Sequence, residues 1–131
     1  MQQIMQNYCP VYRSEKKMLE GKKKLQKLLK KFNEIKINDK SYVWNTEIIE
    51  ALELENLLLQ SIASIESALN RKESRGAHSR IDFKKRNDKS WLKHTMVWMS
   101  SGDNPKIKYR SVNLKTNSKE IKTIEPKARV Y

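Results

Sequence analysis

Two long segments of the chain repeat their apolar residues at three- and four-residue steps, and only a short connection separates them. In SEKKMLEGKKKLQKLLKKFNEIKI, which starts at Ser14, the repeating positions are Met18, Leu25, Leu28, Leu29, Phe32 and Ile35. In TEIIEALELENLLLQSIASIESALNRK, which starts at Thr46, they are Ala51, Leu54, Leu58, Ile62, Ile65 and Leu69, with Ile48, Leu52 and Leu59 widening the stripe. Such spacing puts each set on one face of an α-helix. At about 1.5 Å per residue both helices are expected to run roughly 35 to 40 Å and to pair antiparallel across INDKSYVWN. The second stripe is broad enough to predict burial on more than one side.

Local signals agree with this reading. Ser14 is placed to cap the first helix with Glu15 in its first turn, and Asn45 or Thr46 to cap the second. Lys16, Lys23, Lys24, Lys27, Lys30 and Lys31 lie opposite the first apolar stripe, in water. Gly21 lowers helix propensity there by about 1 kcal/mol relative to alanine. The N-terminal IMQNYC, ended by Pro10, supplies a short further helix. After Arg71 the helical period is lost for some twenty residues. KHTMVWMSS and KIKYRSVNL then read as two strands around the turn GDNP, Met96 and Trp98 alternating with Thr95, Val97 and Met99, and Ile107 and Tyr109 with lysines and Arg110. The expected fold is mainly α, two long helices paired antiparallel with a short helix before them and a small antiparallel β-hairpin after them. The chain divides into a bundle over 1–72, a polar loop over 73–91, and a hairpin and tail over 92–131.

A length of 131 residues suits one domain, and three glycines and three prolines suit a helix-rich one. The net charge of +13 comes mostly from lysine. Basic clusters attract polyanions, so a module binding nucleic acid or an anionic membrane surface is one functional alternative. Against it, the lysines oppose an apolar stripe, no aromatic residues are interleaved with them, and no nucleic-acid motif is present, which favours a solvated face. Cys9, the single cysteine, excludes an internal disulfide and a cysteine-based zinc site. No apolar run reaches the roughly 20 residues that cross a bilayer, and the start has no secretory core, so the chain is expected to be soluble or held at a membrane only by its partners.

The stretch ESRGAHSRIDFKKRNDKSWLKHT, from Glu73 to Thr95, concentrates the chemistry-bearing residues. His78 and His94, with Asp82 and Asp88, match no metal-ligand spacing. The chain has no nucleophile elbow, phosphate-binding glycine loop, dinucleotide fingerprint or HExxH pair, so catalytic, cofactor-binding and metal residues are expected to be absent. Arg75, His78, Arg80 and Asp82 can form a network that locks an irregular segment onto a helix end, with Gly76 permitting an unusual backbone angle. Two roles follow equally from the residues: presenting these groups to a partner, or satisfying buried backbone carbonyls.

WNTEIIEALELENLLLQSIASIESALNRKESRGAHSRIDF, RNDKSWLKHT, KYR and the terminal KARVY, in that order, resemble the C-terminal domain of the succinate dehydrogenase flavoprotein subunit and of the related fumarate reductase subunit. The resemblance covers nearly the whole chain. It departs at Lys84, Asn87 and Asp88, where the family often has a proline and paired aspartates, and at Arg110, Ser111 and Val112, where it has Arg-Pro-Val.

What the resemblance implies is a three-helix, spectrin-repeat-like bundle with a small C-terminal antiparallel β-hairpin, as an excised domain or a short standalone copy. The parent enzyme would be a succinate dehydrogenase, oxidising succinate to fumarate with FAD bound upstream of this chain. Electrons would pass through an iron–sulfur subunit to quinone, in the tricarboxylic acid cycle and respiratory chain. The chain alone is expected to be inactive and to bind no cofactor. Its partners would be the flavin-binding domain, the iron–sulfur subunit and, indirectly, membrane-anchor subunits, with no nucleic acid. The complex would lie peripherally on the cytoplasmic side of a bacterial inner membrane, or on the matrix side in mitochondria. Arg75, His78, Arg80, Asp82, Arg86, Trp91 and His94 are the docking candidates.

Overall fold

A computed structural model describes residues 1–99, 104–118 and 120–127. Along them run α1 (Gln2–Tyr8), β1 (Tyr12–Arg13), α2 (Glu15–Phe32), α3 (Thr46–Asn70), β2 (Ser79–Arg80), α4 (Asp88–Trp91), β3 (Lys93–Trp98) and β4 (Lys106–Ser111). The architecture is helical, with a small antiparallel strand pair near the C-terminus, as the periodicity predicts. Gly102 and Asp103 of the expected turn, and Ala128–Tyr131 of the KARVY end, lie outside the described residues.

α2 and α3 pack as an antiparallel hairpin, and α1 lies across α2. Met18, Leu25, Ile62, Ile65 and Ala68 form the core, covered at its edge by Ile4, Met5, Cys9, Leu29 and Leu69. Gly21 matters more than its propensity suggests. A Cβ there would come within 2.4 Å of Tyr8 Cβ and 2.9 Å of Ile65 Cδ1, so the absent side chain lets α1 and α3 close on α2. An ion pair between Lys22 Nζ and Glu66 Oε2, 2.6 Å apart, ties the two long helices.

Several expectations are corrected. α2 ends at Phe32 rather than reaching Ile37, because helix-poor Asn33 and the β-branched Ile35 and Ile37 follow; Ile35 is exposed beyond the helix. Ser14 occupies the N-cap position of α2, but its side chain makes no capping hydrogen bond. Asn45 does cap α3, accepting from the Ile48 N–H at 3.1 Å. The wide stripe of α3 is not covered on two sides by the described residues. Leu58, Ile62 and Ile65 are buried, whereas Ile48 and Leu52 are exposed.

β3 and β4 pair in register from Lys93↔Ser111 to Trp98↔Lys106, so that Thr95 faces Tyr109 and Val97 faces Ile107. Within residues 73–91, where the sequence shows no period, the chain forms two small elements. β2 pairs in parallel with β1, Tyr12 opposite Ser79 and Arg13 opposite Arg80, and α4 is a single turn capped by Asn87.

Candidate functional site

The segment from Glu73 to Asp88 folds into a polar clamp at one end of the helical hairpin. It exists because α3 stops at Asn70 with several C-terminal carbonyls left without helical donors. Arg80, 1% exposed, supplies donors: its Nη1 reaches the carbonyls of Ala68 at 3.0 Å, Leu69 at 3.2 Å and Arg71 at 3.2 Å. The other side of the guanidinium grips Asp82 in a bidentate pair, Nε to Oδ1 at 2.7 Å and Nη2 to Oδ2 at 2.8 Å. Asp82 Oδ2 in turn accepts from the Glu15 N–H at 2.9 Å. The carboxylate that completes the start of α2 thus comes from 67 residues away. Arg80 and the Glu15 N–H hold the Asp82 carboxyl well below its ordinary range.

Glu73 is the second buried charge of the clamp. It accepts from Arg71, from Arg75 Nε at 2.7 Å and Nη2 at 3.1 Å, and from the Asn87 N–H at 2.8 Å. Burial alone would raise its pKa, but the donors from Arg75, Asn87 and Arg71 outweigh burial and hold it low. Arg75 also pairs with Asp88, which takes Arg86 at 2.8 Å through its other oxygen. Ser74 Oγ donates to the Phe83 carbonyl at 2.7 Å and accepts from the Arg80 N–H at 2.8 Å, closing the loop on itself. Gly76 turns the chain at φ +56°, between Arg75 and His78, whose backbones pair.

His78 joins three parts of the molecule. Arg13 Nη1 lies 2.7 Å from its Nδ1, and the Arg71 carbonyl 3.2 Å from its Nε2. A guanidinium can only donate and a carbonyl can only accept, so the ring is neutral with its proton on Nε2. Burial first, and then the charges of Arg13, Arg80 and Arg71, push its pKa down against the opposing pull of the Arg71 carbonyl.

Trp91 and His94 sit beyond the clamp. The Arg71 guanidinium lies over the Trp91 ring at 5.5 Å, and Tyr109 meets that ring edge-on with centroids 5.9 Å apart. His94 is exposed at the start of β3. The clamp therefore gathers Arg75, His78, Arg80, Asp82 and Arg86, while Trp91 and His94 border it across Arg71. Sequence reasoning passed over Arg71 and Glu73, which link these groups, although both lie within or beside the quoted stretch. Beside the clamp opens a cleft of about 1180 Å³ lined by Tyr12, Arg75, Gly76, His78, Lys84, Lys85, Arg86 and Asp88, among others. Among the described residues no group of three or more His, Cys, Asp or Glu could hold a metal ion.

The whole chain, residues 1–131, matches the family model described as fumarate reductase flavoprotein C-term. It is 43% identical over 131 residues to the succinate dehydrogenase flavoprotein subunit of Rickettsia bellii, covering all of this chain and 22% of that one. The mitochondrial succinate dehydrogenase [ubiquinone] flavoprotein subunit of Oryza sativa is 42% identical over the same length, 21% of its own. Among solved structures, an E. coli quinol fumarate reductase FrdA chain superimposes with a TM-score of 0.84 at 33% identity, covering 88% of this chain and 20% of that one. The chain spans about a fifth of the length of these relatives.

Proposed function

The chain belongs to the family of fumarate reductase flavoprotein C-terminal domains, and on that premise we propose that it serves as the structural and docking domain of a flavoenzyme subunit that oxidises succinate to fumarate. In this reading the full-length subunit uses FAD and hands electrons through an iron–sulfur subunit to quinone. Membrane-anchor subunits are reached indirectly, and the complex is peripheral, on the cytoplasmic side of a bacterial inner membrane or the mitochondrial matrix side. No helix among the described residues is long and apolar enough to cross a membrane. The flavin fits no site made by these residues: there is no glycine-rich phosphate loop, and the buried guanidinium of Arg80 is engaged by Asp82 and by the Ala68, Leu69 and Arg71 carbonyls. FAD is accordingly assigned to other parts of the subunit. The family match leaves the lysine face of α2 as solvated surface, and the nucleic-acid alternative is set aside.

The observation that carries the docking role is that two buried charges, Glu73 and Arg80, are fully partnered and so hold the cleft rim in one geometry. Arg80 and Asp82 hold the rim from within, and Arg75, His78, Arg86, Trp91 and His94 are the groups offered to the flavin domain or the iron–sulfur subunit. A chimera in which this chain replaces the matching C-terminal fifth of the R. bellii subunit tests the reading. It is expected to keep succinate-dependent dye reduction, while the chain alone shows neither that activity nor flavin absorbance. Activity in the chain alone would overturn the assignment. Arg75→Ala in the chimera is expected to weaken assembly more than it destabilises the free chain, and equal losses would make Arg75 purely structural.

A further inference from the structure

We propose that His78 is an acid-sensitive latch: its neutral ring ties β1 to the clamp, and a second ring proton releases β1 from β2 and widens the cleft between them. The inference rests on hydrogen-bond geometry and goes beyond the docking role proposed above.

The joint is short. β1 and β2 pair over two residues each, and the Ile81 N–H donates to the Arg13 carbonyl at 2.9 Å. So small a ladder is marginal without side-chain support. Arg13 Nη1, 2.7 Å from His78 Nδ1, spans the same joint. Val11 and Tyr12 line the cleft from the β1 side, and Arg75, Gly76 and Lys84 are among the residues lining it from the clamp side. His78 lines it as well, so solvent protons have a route to the ring.

The ring's proton count decides whether the joint holds. An imidazolium carries hydrogen on both nitrogens and accepts nothing. With Nδ1 protonated, His78 would turn a donor toward a guanidinium that has only donors, and two positive charges would meet where the bond now stands. Arg71 adds positive charge from the end of α3 and Arg80 from β2. Lys84, Lys85, Arg86 and Lys127 share the cleft. The clamp carboxylates are engaged elsewhere: Glu73 by Arg71 and Arg75, Asp82 by Arg80, and Asp88 by Arg75 and Arg86. Ser67 and Thr95, which border the ring's other side, carry no charge.

The fixed side and the yielding side are distinguishable. Arg71 is held by Glu73 and by the Trp91 and Lys93 carbonyls, and Arg80 by Asp82 and three carbonyls at the end of α3. Arg13 is braced instead on its own segment, Nε donating to the Pro10 carbonyl at 2.7 Å. Pushing its guanidinium away therefore pushes β1. The Glu15 N–H on Asp82, at 2.9 Å, lies just after β1 and serves as the pivot, because Asp82 stays ionised far below neutral pH. The closed joint needs the neutral ring, so it is favoured above the unfolded histidine value of about 6.5 and lost as pH falls through the lower folded one.

NMR of the isotope-labelled 131-residue chain, titrated from about pH 8 to about pH 5, tests this. At the alkaline end the His78 proton is expected on Nε2. Its midpoint is expected below that of His78 in the same chain unfolded in urea. Cross-strand NOEs between Tyr12–Arg13 and Ser79–Ile81 should fall by at least about half in step with that midpoint, while the Ile62 amide in α3 keeps its exchange protection. Any of three results overturns the proposal: a ring proton on Nδ1 at the alkaline end, undiminished NOEs once His78 has titrated, or loss of Ile62 protection along with the NOEs, which is global unfolding. His78→Gln can accept from Arg13 and donate to the Arg71 carbonyl without titrating, and is expected to keep the NOEs throughout. A loss like that of the parent chain in this variant overturns the proposal too. Should the variant fail to fold, the titration of the parent chain decides.

Discussion

At the clamp end of the α2–α3 hairpin a carboxylate and a guanidinium, Glu73 and Arg80, are removed from water, while at the other end Tyr42 and Trp44 stand almost wholly in it. Both arrangements run against ordinary solvation, and the chain treats them differently. Every buried charge of the clamp has its partners inside the chain, because a buried ion without them would cost several kcal/mol. Among the described residues nothing covers the apolar patch, and Tyr42, Trp44, Ile48 and Leu52 are exposed. Only its backbone is secured, by Glu47, Asp39 and Asn45. The buried charges of one end are satisfied within the chain, and the large apolar side chains of the other stand in water.

The largest effect that would break this contrast is expected from Arg80→Met, which keeps bulk but strips donors from the Ala68, Leu69 and Arg71 carbonyls and from Asp82. Removing one member of a buried ionic network is expected to cost about 3 to 5 kcal/mol, read from urea unfolding of the free chain. A loss below about 1 kcal/mol would mean that the clamp does not carry the fold.

A smaller effect concerns pH. His78 has its pKa lowered in the folded chain, so its contribution is present above its unfolded value near 6.5 and is lost as pH falls below that. Asp82 and Glu73, also lowered, contribute above the unfolded carboxylate range near 4 and lose that contribution only in stronger acid. Between pH 7 and 5 the urea midpoint should decline because of His78, and His78→Gln should flatten that decline. A decline unchanged by His78→Gln would place the titrating group elsewhere.

The smallest effect is expected at the patch. Tyr42→Ser should change the stability of the free chain by no more than about 0.5 kcal/mol, measured by the same unfolding. A loss of 2 kcal/mol or more would show that Tyr42 serves this domain's own fold and would erase the difference between the two ends.

The parts legible in the sequence were those decided by near neighbours. Asn45 caps α3 because the N–H it satisfies is three residues away, and Gly76 adopts a positive φ in a turn the sequence marks. The first stripe found Met18 and Leu25 because helical period alone brings them to one face. Ser14 misled, since the Asp82 carboxylate satisfies the Glu15 N–H and no local pattern announces a group 67 residues on. Gly21 read as a weak helix former until α1 was seen packed on it. Ile48 and Leu52 read as core because periodicity reports that a face is apolar, not what covers it.

The order of apolar and polar residues by itself determined two long helices, a short one before them, a hairpin after them, and the family text between Trp44 and Thr95. These follow from hydrogen bonds and side-chain spacing that act over a few residues. The tertiary structure alone decided that Arg80 closes the end of α3, that Asp82 completes the start of α2, that His78 is held neutral between Arg13 and Arg71, and that one apolar face is left uncovered. Each of these depends on groups far apart in the chain meeting, or failing to meet, in a low-dielectric interior where an unpartnered charge is too costly to persist.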